Sequence, residues 1–113
     1  MNKLLNNYLV QVQYPDVSGA EHLEMLQIRD RLAEIKDTLP KEEQLLLSNA
    51  DRQLIKNVIV INEELSQFIN LKAYRTSQNI MPQNWWWYLD VLSYLSITLG
   101  NVESSIEPLL LSS

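Results

Sequence analysis

The chain has 113 residues, enough for one domain with one core, and its 46% hydrophobic and 20% charged content fits a folded protein and not a disordered one. A net charge of −5 leaves no lysine and arginine field to displace counterions, which excludes nucleic acid as the expected partner. The absence of cysteine removes disulfides, thiolate catalysis and cysteine-bound zinc, and two glycines with four prolines leave little room for a many-turned β-sandwich.

Residues 2–14 fit two patterns. Leu4, Leu5, Tyr8, Leu9 and Val12 form a helical stripe, whereas Tyr8, Val10, Val12 and Tyr14 alternate as a strand would. Helix is preferred, because no partner strand is evident. Tyr14-Pro15-Asp16-Val17-Ser18-Gly19 reads as a turn. Residues 20–39 give the clearest helix, with Met25, Ile28, Leu32, Ile35 and Leu39 on one face and Arg29, Glu34, Lys36 and Asp37 outside it. Ser18 is the expected N-cap, with Glu21 completing a capping box. Pro40 suits the first turn of the next element.

Leu47, Ala50, Leu54, Val58, Ile61, Leu65 and Phe68 continue one stripe, so residues 41–75 read as a single long helix with room for a bend at 48–51. The run Val58-Ile59-Val60-Ile61 is β-branched and argues against helix locally, but the flanking pattern outweighs it. Residues 75–81 form a connector. From Pro82 to about Glu107 a last helix is expected, carrying the seam Trp85, Tyr88, Leu92, Leu95, Leu99, Val102 and Ile106, with Gly100 in its interior, Pro108 ending it and Leu109-Leu110-Leu111 as an apolar tail. The expected fold is all-α, a single domain over residues 1–113: a three- to four-helix up-down bundle that self-associates through its long helices. Its core would comprise Ile28, Leu32, Ile35, Leu54, Val58, Ile61, Leu65, Phe68, Tyr88, Leu92, Leu95 and Leu99.

The charge distribution directs attention to the C-terminal third. Residues 76–113 carry no base and three acids, Asp90, Glu103 and Glu107, so this segment is either central or covered by a partner. All three tryptophans sit there side by side. On an α-helical wheel Trp85 joins the core seam, while Trp86, Trp87, Tyr94 and Ile97 form a second apolar face around Asp90. Two tryptophans and a tyrosine represent on the order of 500 Å² of buriable surface, too much to leave in water. Four covers are weighed, in this order: the chain itself, a second copy in a homodimer, a different protein or an aromatic or hydrophobic ligand, and a membrane-interface tryptophan belt, for which the segment lacks basic residues. Asp90 is expected to accept hydrogen bonds from the indole of Trp86 or Trp87 or from the Tyr94 hydroxyl.

Other candidates read as structural. His22, the only histidine, is expected to be a solvated first-turn residue. Glu42-Glu43 and Glu63-Glu64 are solvated faces, since adjacent residues point about 100° apart on a helix and match no di-iron pattern. Arg52, Lys56, Lys72 and Arg75 are interleaved with acids and read as a solvated surface. No catalytic residue, metal site or cofactor is assigned. The N-terminal apolar run is too short for a signal peptide, and residues 85–99, interrupted by Asp90, are too few to span a membrane, so a cytoplasmic location is expected. The function that best fits is a non-enzymatic protein–protein interaction module, an adaptor, assembly or regulatory protein, with Trp86, Trp87, Asp90, Tyr94 and Ile97 as its contact residues. The alternative is a helical bundle that binds a small hydrophobic or aromatic ligand, with Asp90 as polar anchor.

Overall fold

The structure of the protein, a computed structural model, describes residues 1–99. Among these residues the chain is all-helical, with six α-helices and two short 3₁₀ turns where three or four longer helices were expected. The expected continuation through Gly100, Val102, Ile106 and Pro108 to the leucine tail lies outside the described residues.

Helix α1 spans Lys3–Gln11. Asn2 caps it, its side-chain oxygen accepting from the Leu5 N–H at 3.2 Å. Leu5, Tyr8 and Val12 are buried, which is the helical stripe and not the alternating one. After the turn at Tyr14–Ser18, helix α2 spans Gly19–Ile35. Ser18 is its N-cap as expected, accepting from the Glu21 N–H at 3.3 Å. A 3₁₀ turn at Lys36–Thr38 ends this segment, and Pro40 sits one residue earlier than expected, at the N-cap of α3.

The single long helix expected over 41–75 is three helices: α3 (Lys41–Lys56), α4 (Val58–Phe68) and α5 (Leu71–Gln78). Residues 48–51 lie unbroken inside α3. The first interruption falls instead at Asn57 (φ −99°, ψ 14°), immediately before the β-branched run. Branched side chains crowd the preceding turn, and Asn57 turns its amide away to donate to the Val12 carbonyl at 3.4 Å. That bond ties the end of α1 to the α3–α4 junction. The second interruption is Ile69, which is fully extended (φ −146°, ψ 148°). Asn70 then starts α5 by accepting from the Ala73 N–H at 3.0 Å. Asn79 closes α5 in the left-handed region (φ 52°), where the Ile80 N–H donates to the Arg75 carbonyl at 3.1 Å.

The last segment also begins differently. Trp85–Tyr88 form a 3₁₀ turn, and α6 occupies Leu89–Leu99. Helix α2 packs on α1 and α4, α4 lies against both α2 and α6, and α3 packs on α1. Ile28, Leu32, Leu54, Val58, Ile61, Leu65 and Leu92 are buried as expected, and Ile35, Tyr88 and Leu95 are partly buried against them. Phe68 and Leu99 were expected in the core but are 57% and 68% exposed. Phe68 is the last residue of α4, and Leu99 is the last described residue.

Gly19 marks the tightest approach in the fold. A β-carbon built there would stand 2.6 Å from both the Glu64 carbonyl oxygen and the Phe68 Cβ. The first turn of α2 therefore rests directly on the last turns of α4, and only glycine fits.

Candidate functional site

The triple tryptophan does not form a helix face. In a 3₁₀ turn successive side chains step about 120° apart, so three neighbours fan around the axis. All three find cover, because α2, α5 and α6 surround the turn. Trp85, Trp86 and Trp87 are each at most 3% exposed. The Trp85 and Trp86 rings meet edge to face at 5.8 Å, and Trp87 stacks on Tyr74 at 4.9 Å. The two-faced wheel assumed an α-helical step through this segment, and that assumption fails at its first turn.

Asp30 of α2, and not Asp90, receives the indoles. Its Oδ1 accepts from Nε1 of Trp86 and of Trp87, both at 2.7 Å. The neighbouring Arg29 was placed outside the inward face of α2, yet it is fully buried. Its Nε and Nη2 donate to the two carboxylate oxygens of Asp51 at 2.9 and 3.0 Å. The Tyr8 hydroxyl donates to the same Asp51 Oδ1 at 2.6 Å. Nη1 of Arg29 has no hydrogen-bond partner, but the guanidinium lies over the Trp86 ring, its central carbon 4.2 Å from the centroid. Burial and the Asp51 carboxylate hold the Tyr8 hydroxyl well above its ordinary pKa. For Arg29, burial pulls down, but the Asp51 carboxylate and Tyr8 outweigh it, and its pKa rises. The cluster is thus a buried charge pair joined by a protonated phenol.

Asp90 sits on the other side of the tryptophan turn. Arg75 of α5, expected on a solvated surface, is partly buried and donates to Asp90 Oδ1 at 2.5 Å and to the Trp87 carbonyl at 3.0 Å. Its guanidinium also covers the Tyr88 ring at 4.4 Å. The cavity beside Asp90 is lined by Asn62, Ser66, Ile69, Asn70, Leu71 and Lys72, not by tryptophan.

The five residues singled out from the sequence therefore separate into three environments. Trp86 and Trp87 are core, Asp90 is half-buried in an ion pair, and Tyr94 and Ile97 are 66% and 68% exposed on α6. Val91, Tyr94 and Ile97 follow one another at three-residue spacing and form an outward stripe, while Leu89, Leu92 and Ser93 face the core.

His22 is 1% exposed, not solvated, and its Nε2 donates to the Pro15 carbonyl at 2.9 Å, pinning the α1–α2 turn to α2. Burial lowers its pKa, opposed by that bond and by the carboxylates of Glu64 and Glu21. Among the described residues no group of three or more histidine, aspartate or glutamate side chains is arranged to hold a metal ion. No helix among them is long and apolar enough to cross a membrane. The buried network on Asp51 and the indole acceptor Asp30 were missed from the sequence. One signal could have pointed to the first: Asp51 falls at the edge of the α3 stripe, where a buried acid requires a base. Comparison with protein-family models, curated proteins and solved structures yields no match for this chain.

Proposed function

We propose that the chain is a non-enzymatic interaction module that pairs with a second copy of itself through the outward face of α6. The observation carrying this reading is the stripe of Val91, Tyr94 and Ile97, exposed by 43, 66 and 68%. No charged residue occurs between Val91 and Leu99. Tyr94 is the largest of the three, an aromatic of a type that can bury roughly 150–250 Å². A standard interface buries roughly 800 Å² per partner, and the stripe would form the apolar centre of one.

Self-pairing is favoured over a foreign partner by charge. Across a two-fold interface only the residues on the axis meet their own copies, so a charge at the centre meets a like charge. With a net charge of −5, the chain can approach a copy best along a face that carries none. Trp86 and Trp87 act in this reading as the rigid floor under α6 and not as contact residues.

Size-exclusion chromatography with light scattering tests it. The expected mass is twice the 13.2 kDa of the chain, and Tyr94→Glu or Ile97→Glu should return it to 13.2 kDa with unchanged helical circular dichroism. A wild-type chain that stays monomeric at high micromolar concentration refutes the reading.

A further inference from the structure

Away from α6, a cavity of about 350 Å³ opens between the last turn of α1, the α1–α2 turn and the first turns of α2. Its volume falls at the lower end of the range for small-molecule sites, roughly 300–1,000 Å³. Val10, Tyr14, Val17 and Met25 supply apolar walls, and Glu21 and Glu24 supply carboxylates. The mouth lies at the surface, since Val10 and Tyr14 are exposed while Met25 behind them is buried.

The electrostatics of this cavity have one sign. No lining residue is a lysine or arginine, and the chain carries neither between Lys3 and Arg29. Arg29 is sealed against Asp51. His22 shares the wall, but its Nε2 is committed to the Pro15 carbonyl, and burial keeps its ring from gaining charge near neutral pH. Gln11 also lines the wall, and its Oε1 is buried with no hydrogen-bond donor. An apolar pocket with two carboxylates and no base favours a cation with an apolar body over a neutral or anionic isostere.

We infer that this cavity is a binding site for a small organic amine, its hydrocarbon or aromatic part seated between Val17 and Met25 and its ammonium group at Glu21 and Glu24. The site is separate from the α6 face, so each stands or falls alone.

The test is an NMR titration of the full chain with three probes that share a phenylethyl group: 2-phenylethylamine, 2-phenylethanol and 3-phenylpropionate. The amine should shift the Met25 and Val17 methyl resonances and the Tyr14 ring, and should bind roughly fivefold more tightly than the alcohol, with the carboxylate weakest. Glu21→Gln/Glu24→Gln should bring the amine to the affinity of the alcohol. Both side chains are exposed and glutamine serves at a capping-box position, so folding is preserved. Added salt should weaken the amine alone. The inference is overturned if the amine leaves Met25, Val17 and Tyr14 unshifted, if 3-phenylpropionate binds as well as the amine, or if the double variant keeps the amine's advantage.

Discussion

Arg29 and Asp51, 22 residues apart on α2 and α3, close a two-bond ion pair at 2.9 and 3.0 Å inside the protein. Removing either partner strands a charge in the core. Asp51→Ala is expected to cost about 3–5 kcal/mol, and the paired replacement Arg29→Met/Asp51→Leu less than either single change. Tyr8→Phe should cost only about 1 kcal/mol, because Arg29 still satisfies the carboxylate. Urea denaturation of the wild type, the two single variants of the pair, the double variant and Tyr8→Phe measures the order.

Asp30 holds two indoles with one oxygen. Asp30→Leu leaves two indole N–H groups without an acceptor and should cost roughly 1–3 kcal/mol for each. Asp30→Asn keeps an acceptor oxygen and should lose far less. Hydrogen exchange at the indole positions provides the check, with the Trp86 and Trp87 protons losing protection together in the leucine variant only.

Gly19→Ala tests how closely α2 approaches α4, since a Cβ there would stand 2.6 Å from the Glu64 carbonyl oxygen. In an open first turn this change would stabilise by a few tenths of a kcal/mol. Against the Glu64 carbonyl it should destabilise by about 1–3 kcal/mol, lowering the melting temperature. A rise in melting temperature would refute the close contact.

His22 gives an acid-side prediction. Its folded pKa lies below the unfolded value of 6.5, so the unfolded chain takes up the proton first as pH falls. The resulting stability is complete above 6.5 and is lost as pH drops through the lower folded value. His22→Gln should flatten the stability profile in that window. Denaturant midpoints taken stepwise from pH 7.5 to about 5.5 follow it.

The sequence reading makes Trp86 and Trp87 contact residues. Their burial changes the expectation. Trp86→Ala or Trp87→Ala should cost about 3–5 kcal/mol through the cavity left behind, and a binding assay on such variants would report unfolding. Tyr94 and Ile97 are the positions that separate binding from stability.

What was legible in the sequence followed from side-chain spacing. The 3.6-residue stripes located α1, α2 and most of the core, and Ser18 announced its cap. The stripes failed where a helix stops without losing its hydrophobic period. Leu54, Val58, Ile61 and Leu65 are all buried although Asn57 interrupts the helix among them. A kink keeps the neighbours on the same side of the core, so periodicity passes over it. Asn57, Asn70 and Asn79 were the local marks of the three helix ends, each acting through its side chain or its tolerance of left-handed backbone. The tryptophan site was misread for a related reason. Its residues were placed by an α-helical angle, while the partner Asp30 sits 56 and 57 residues away and has no spacing relation to them.

That separation has a consequence for how folding would be watched. All the tryptophan emission of this protein comes from one turn, whose cover arrives from α2 across more than half of the described chain. Helices form within their own segments on the microsecond scale, whereas the indoles leave water only when the long loop has closed. Circular dichroism would therefore record local helix growth, and tryptophan fluorescence would record closure. The lag between the two signals would be a direct clock for the joining of the chain's two halves.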